Sequence, residues 1–205
     1  MITPEWRPAD PRAIYVGRDE GITKFMLSRF DIDTREMTDV VVRKGGPTAE
    51  SWRLSPDGTQ TLVIRDILTD TKRAAVFVVD LATGDERQLT PYDFQLDRPD
   101  WMPDGRIVFN SPGLAVYNDS DAGPANLWVM DADGRHLEQL THYTEMNSGA
   151  TQPHVLADAS GIVFTKVLDG TPLRPMAVVD LDGGNERYLT PERHRGSHID
   201  IRPMP

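Results

Sequence analysis

The sequence predicts an all-β fold: a β-propeller of about four four-stranded antiparallel blades, followed by one extra C-terminal strand. The first observation is a repeated unit, clearest at residues 101–109, where a Pro-Asp-Gly turn joins two short strands. The second is the spacing of 46, 49, 54 and 46 residues between unit starts, at Trp6, Trp52, Trp101, Val155 and Ile201. A period of about 40–50 residues with four short strands is typical of propeller blades.

Each unit continues with an apolar strand that ends in Asp, a turn, and a strand that ends in Leu-Thr. One four-stranded sheet cannot bury both of its faces, whereas sheets stacked side by side can. We therefore expect one domain over residues 1–205, with blades at about 4–45, 49–91, 98–141 and 152–191 and the extra strand at 199–203.

The turn residues agree with this interpretation. Four Asp-Gly pairs supply residues that tolerate positive φ at hairpin turns, at residues 57–58, 104–105, 133–134 and 182–183. Four aspartates recur at the end of the third strand, and we expect the side chain of each to accept hydrogen bonds from the backbone of the turn that follows. A catalytic role is disfavoured because catalysis does not need four copies of Asp31, Asp80, Asp131 and Asp180. The tryptophans at the unit starts, and Trp128, are expected to pack in the core.

The run Trp-x-x-Ser-Pro-Asp-Gly at 52–58, with Val-Val-Asp-Leu at 78–81 and Leu-Thr at 89–90, resembles the TolB-like, WD40-like (PD40-type) propeller repeats. The resemblance covers nearly the whole chain and is strongest over residues 50–141. It implies a β-propeller but no single function. Such repeats occur in TolB, a periplasmic interaction protein, in the propellers of prolyl-oligopeptidase-like enzymes, and in oligogalacturonate lyases.

Charge and composition disfavour several classes of binding partner and of chemistry. A net charge of −10 disfavours nucleic acid and anionic membrane surfaces, which attract clustered Lys and Arg. The sequence has no cysteine, so disulfides and thiolate chemistry are excluded. No apolar run is long enough to span a membrane. Residues 1–8 show no signal-peptide pattern, so the cytoplasm is the expected location, or the periplasm if a signal peptide has been removed.

Four of the five histidines fall in or at the end of connectors between predicted blades. These connectors share one face with the loops between second and third strands. Neutral imidazole ligates transition metals, and the resemblance implies that oligogalacturonate lyases bind a divalent metal through His and Gln at such a face. A divalent metal (Mn, Zn, Fe or Ni) would therefore have as candidate ligands His142, Gln152, His154, His194 and His198. The competing interpretation is that these are ordinary polar loop residues.

The same face carries the candidate partner-binding residues, which are Tyr92, Asp93, Gln95, Tyr143, Glu145 and Asn147. No catalytic residue is assigned. The sequence has no Gly-x-Ser-x-Gly motif and no Gly-rich phosphate loop.

The leading function is a binding scaffold that engages a protein or peptide through this face or the axial mouth. The alternatives are a metal-assisted lyase or hydrolase acting there, and a non-catalytic propeller piece of a larger enzyme. Three ways of completing the propeller remain open. The units could close with residues 199–203, an open arc could form a homo-oligomer through its ends, or the chain could be part of a larger product.

Overall fold

The computed structural model describes residues 4–7, 10–19, 24–44, 49–66, 74–92, 96–111, 123–156 and 158–193. Every regular element in these ranges is a β-strand. No described segment is a helix of the length and apolar character needed to cross a bilayer. The predicted extra strand at 199–203 and residues 112–122 lie outside the described residues.

The strands form four four-stranded sheets, and every neighbouring pair within a sheet is antiparallel. In each sheet the strands lie side by side in chain order. The chain divides into two compact units, Met1–Tyr92 and Asp93–Pro205, with two sheets in each. The predicted all-β class with four-stranded antiparallel sheets is confirmed, whereas a single domain over the whole chain stays a prediction.

The first unit contains the first and second sheets. The first sheet consists of β1 (Pro4–Arg7), β2 (Asp10–Asp19), β3 (Lys24–Asp31) and β4 (Met37–Lys44). The second sheet consists of β5 (Ala49–Leu54), β6 (Gln60–Asp66), β7 (Ala74–Asp80) and β8 (Glu86–Gln88).

The second unit contains the third and fourth sheets. The third sheet consists of β9 (Asp97–Trp101), β10 (Ile107–Ser111), β11 (Asn126–Met130) and β12 (Glu138–Gln139). The fourth sheet consists of β13 (Gly149–Val155), β14 (Ile162–Val167), β15 (Met176–Val179) and β16 (Arg187–Tyr188).

The turns form as the sequence predicts at the glycines and at two of the four aspartates. The glycines at 58, 105, 134 and 183 have φ between 72° and 85°. The Oδ1 of Asp31 accepts hydrogen bonds from the amides of residues 33 and 34, and the Oδ1 of Asp80 accepts those of residues 82 and 83. In the second unit a side chain is the partner instead. The Nδ1 of His136 lies 2.6 Å from Asp131, and Asn185 donates to Asp180 at 2.7 Å.

The first strand of the fourth sheet begins earlier than the connector prediction allowed. β13 starts at Gly149, so Gln152 and His154 lie within a strand and not in a connector. The reason is a bulge between Thr151 and His154, with Gln152 at φ 56°. A bulge inserts an unpaired residue and lets the strand continue through an irregular stretch. Arg98 also has positive φ, at 46°. It lies three residues before the unit start at Trp101, just as Gln152 lies three residues before the unit start at Val155.

Each unit buries one apolar cluster between its two sheets. In the first unit the cluster contains Leu27, Trp52, Leu54, Val63 and Val79. In the second it contains Met102, Val108, Leu127, Val129, Leu140, Ala150, Ile162, Phe164, Ala177 and Val179. Trp52 and Trp101 are buried as predicted, and Trp128 is half-buried. The side chain of Trp6 lies outside the described part.

Candidate functional site

The connector between the third and fourth sheets holds most of the predicted site residues that the structure describes. Asn126, which is buried at the start of β11, forms hydrogen bonds that hold the N-terminal end of this connector in place. The Oδ1 of Asn126 accepts the amide of Tyr143 at 2.8 Å, and its Nδ2 donates to the Tyr143 carbonyl at 3.2 Å. Thr141 donates its hydroxyl to the same Oδ1 at 3.1 Å. A buried amide with several partners holds a backbone segment in one conformation.

The second end is closed by Ser148, whose hydroxyl donates to the carbonyl of Glu145 at 2.5 Å. The carbonyl of Ser148 accepts the amide of Ala125 at 2.9 Å, and the amide of Ala150 donates to the carbonyl of Ala125 at 2.8 Å. Gly149 sits between them at φ 125°, and a Cβ there would lie 1.9 Å from the Ala125 oxygen. Only glycine allows this close approach of two backbones.

Between these two anchors the side chains point to solvent. We call residues 142–147 the connector loop. All of its side chains except that of Tyr143 are exposed, and Met146 exposes 45% of its surface. Asn147 has φ 55°, a conformation that Asn tolerates better than most residues. The loop is therefore fixed in its backbone and open in its side chains.

Tyr143 turns back onto the fourth sheet. Its hydroxyl donates to Glu186 Oε2 at 2.5 Å, and the Nζ of Lys166 lies 3.8 Å from the centre of its ring. Lys166 also donates to Glu186 Oε1 at 2.6 Å. Burial, followed by the hydrogen bond to Glu186, raises the pKa of the Tyr143 hydroxyl, so Tyr143 is neutral at physiological pH. The Tyr143 side chain therefore contacts the fourth sheet and does not project into solvent, whereas the sequence analysis expected it on a partner-binding face.

Tyr92 follows the second sheet at the position that Tyr143 has after the third. Its ring packs against Phe77, with centroids 6.1 Å apart and planes at 56°. Phe77 in turn lies under the guanidinium of Arg65, 5.5 Å from the ring centre.

A second polar group links the first strands of the third and fourth sheets. The Oδ2 of Asp100 in β9 accepts the amide of Val155 in β13 at 3.0 Å, and the Nδ1 of His154 lies 3.9 Å from that oxygen. Both side chains are largely buried. In the first unit the carboxylate of Glu5, in β1, similarly accepts the amide of Leu54 at 3.2 Å. An acidic residue just before the unit-start Trp thus bonds the next sheet, a role that the sequence analysis missed.

Solved structures with this arrangement of sheets are TolB and related propellers. TolB from Acinetobacter baumannii superposes with a TM-score of 0.69 at 20% identity, over 92% of this chain and 43% of TolB. An oligogalacturonate lyase in complex with manganese gives 0.65 at 22% identity, over 91% of this chain and 52% of the lyase. The chain has the TolB-like propeller fold.

Sequence comparison adds a relative without a known activity. An uncharacterized protein of Agrobacterium fabrum is 28% identical in a match of 143 residues that covers 66% of this chain and 44% of that protein. This chain therefore spans less than half of the curated relative that it matches. No family model matches the chain. The TolB-like propeller fold is common to binding proteins and enzymes, so the function has to be argued from side chains.

The predicted metal ligands of this propeller are only partly described. His142 is exposed in the connector loop, and His154 lies beside Asp100. The backbone amide of Gln152 donates to Asn110 Oδ1 at 3.1 Å. The described ranges contain no group of three or more His, Asp or Glu side chains placed to hold a metal ion. His194 and His198 lie outside those ranges, as do Asp93 and Gln95 of the predicted partner face. The metal site stays a prediction, and no chemical step is derived from it.

Proposed function

We propose that this chain is a binding scaffold that engages a protein or peptide partner through the connector loop, residues 142–147. One observation carries the proposal: the loop is fixed at both ends by hydrogen bonds from the buried residues Asn126 and Ser148, yet five of its six side chains are exposed. Function in propellers and other rigid scaffolds is concentrated in loops positioned in this way.

A fixed backbone favours binding because less conformational entropy is lost when the partner docks. The bonds of Asn126 and of Ser148 hold the loop before any partner arrives.

The exposed groups have the chemistry of a peptide-binding surface. Glu145 offers a carboxylate, Asn147 an amide and His142 an imidazole, so the loop can accept and donate hydrogen bonds. Met146 adds a flexible, polarizable side chain of the kind found on adaptable binding surfaces. These groups suit a segment that presents both polar and apolar side chains.

The metal-assisted alternative has less support. An enzyme of that kind needs at least three ligands within reach of one ion, and the described residues bring no such group together. The likeness to a lyase in complex with manganese is at 22% identity and supports the fold alone. Elemental analysis of the purified chain, with His154→Ala as the comparison, tests this alternative directly. Near-stoichiometric metal that the substitution removes would favour the enzyme.

Selection from a random peptide library, followed by titration of the enriched peptides, tests the scaffold proposal. The loop variant is Glu145→Lys/Met146→Ser. The matched control is Asp133→Lys/Leu137→Ser, because Asp133 is exposed like Glu145 and Leu137 exposes 44% of its surface against 45% for Met146. We expect the loop variant to lose at least about tenfold in affinity, or about 1.4 kcal/mol, while the control keeps wild-type affinity.

Equal losses in both variants, or peptides that bind the loop variant as tightly as the wild type, would overturn the proposal. Circular dichroism and thermal melting of all three proteins separate lost binding from lost folding. The partner of any longer protein that contains this chain is a further question, because the curated relative is more than twice as long as the matched region.

A further inference from the structure

The contact between the third and fourth sheets has an apolar pair at its outer rim. Leu140 follows β12 and is only 8% exposed. The turn between β15 and β16 lies against it, since a Cβ on Gly183 would meet the Leu140 oxygen at 2.2 Å. Leu181, in the same turn, packs on the cluster that contains Leu140. An outer-strand residue of one sheet and a turn residue of the next thus share one core.

The first unit repeats this arrangement. Val40 in β4 and Leu81, in the turn between β7 and β8, both pack on the cluster between the first and second sheets. Leu81 and Leu181 are equivalent because each directly follows the Asp that ends a third strand. Both described sheet contacts are therefore sealed by the same two positions.

Each of these positions also occurs once without an apolar cover. In the first sheet the turn position is Ile32, directly after Asp31, and it is 46% exposed. In the fourth sheet the outer position is Leu189, whose amide donates to Met176 just as the amide of Leu140 donates to Leu127. Leu189 is 52% exposed, against 8% for Leu140. The chain therefore exposes one turn half and one outer-strand half of a contact that it builds twice.

We propose that a second copy of this chain completes the contact, with Leu189 of one copy against Ile32 of the other. A second copy fits this position because the same chain carries both missing halves of a contact that it already builds twice. In a dimer with two-fold symmetry both halves are covered at once, because Leu189 of each copy meets Ile32 of the other. Burial of two large apolar side chains supplies the driving force.

The absence of cysteine from the sequence allows a direct test by cross-linking. Ile32→Cys, carried on a size-tagged chain, is mixed with untagged Leu189→Cys and treated with a short bis-maleimide. A tagged–untagged product can arise only between two chains. The matched control replaces Leu189→Cys by Leu137→Cys, since Leu137 is similarly exposed in the third sheet. We expect the product in the first mixture and its loss in the second.

Light scattering of the full chain gives the independent readout. We expect a mass of twice the 22.9 kDa of one chain, reduced to one chain by Leu189→Glu or by Ile32→Glu and unchanged by Leu137→Glu. Two variants on opposite halves guard against one that fails to fold, and circular dichroism checks each.

A monomer at every concentration tested would overturn the proposal. So would a cross-link that forms only in the Ile32→Cys/Leu189→Cys double variant and within one chain, because that result would mean that the chain closes on itself. Neither outcome bears on peptide capture by the connector loop, so the two proposals fail separately.

Discussion

The second and fourth sheets each carry an ion pair at the equivalent position, but different aromatic rings cover the cation. In the second sheet, Arg65 donates to Glu86 and lies over Phe77 of its own sheet. In the fourth, Lys166 donates to Glu186 and lies over Tyr143, which comes from the preceding connector. The pairs are equivalent by register, since Thr61 pairs with Val79 as Ile162 pairs with Val179.

The shield differs because of one residue on the third strand. Where the second sheet has Phe77, the fourth has Ala177. The small side chain leaves room for a ring from outside the sheet, and Tyr143 fills it. The third sheet has Trp128 at this position, and its indole donates to the carbonyl of Ser111, which stands where the other sheets have the cation. A propeller blade can thus keep its shape while the partner of one position moves from inside the sheet to its neighbour.

The largest predicted effect is at Arg65. Its side chain is 3% exposed, so Arg65→Ala leaves the carboxylate of Glu86 largely buried without its cation. We expect the free energy of unfolding to fall by about 3 kcal/mol, the low end for a broken buried pair. Urea unfolding followed by circular dichroism measures it. The double variant Arg65→Met/Glu86→Leu should recover most of the loss, and a double variant no more stable than Arg65→Ala would contradict the charge explanation.

A smaller effect is predicted for the equivalent Lys166→Ala. Glu186 keeps the hydrogen bond from Tyr143 and is about one-third exposed, so water replaces part of the lost interaction. We expect a loss of about 1 kcal/mol. A double-mutant cycle of Lys166→Ala with Tyr143→Leu, measured relative to Tyr143→Phe because that variant keeps the ring but already lacks the hydroxyl bond to Glu186, should give a coupling of about 0.5–1 kcal/mol for the cation over the ring. Strictly additive losses would show that the ring does not shield the lysine.

The smallest predicted effect concerns the first turns of the same two sheets in acid. The hydroxyl of Ser55, with the amide and hydroxyl of Thr59, lowers the pKa of Asp57, and the hydroxyl and amide of Ser160 lower that of Asp158. A lowered carboxyl pKa contributes stability above the unfolded value of about 4, and this contribution disappears as the pH falls through the folded pKa.

Asp57→Asn and Asp158→Asn should therefore destabilise the protein at pH 7 and converge with the wild type in acid. Asp57 accepts more donors, so its substitution should have the larger effect. Urea midpoints across the acid range measure both. A difference from wild type that persists unchanged at the lowest pH would show that the carboxylate's charge is not responsible.

The turns could be predicted from the sequence because their chemistry is local. Asp-Gly pairs and the aspartates at strand ends contact residues two or three positions away, within reach of a motif. Repeated spacing then gave the number of sheets. These features need no knowledge of which strand lies beside which.

The site was harder to predict because it depends on register and on strain. Lys166 and Glu186 are 20 residues apart and look like ordinary surface charges in the sequence. The positive φ of Gln152, which extends β13 into the predicted connector, has no signature in a non-glycine residue. The sequence places Tyr143 on this connector, but the turn of its ring towards Lys166 depends on contacts with the next sheet. Aligning the repeats by the Asp that ends each third strand would have revealed the two ion pairs.

Hydrogen exchange at the bridge between Ala125 and Gly149 also reports how often the third and fourth sheets separate. The amides of Ala125 and Ala150 are bonded between the third and fourth sheets, whereas most strand amides are bonded within one sheet. Deuterium can reach these two amides when the sheets part, even if each sheet stays folded. Their exchange rates therefore time the separation of neighbouring blades, and the amides of β10 and β14 time the unfolding of the blades themselves.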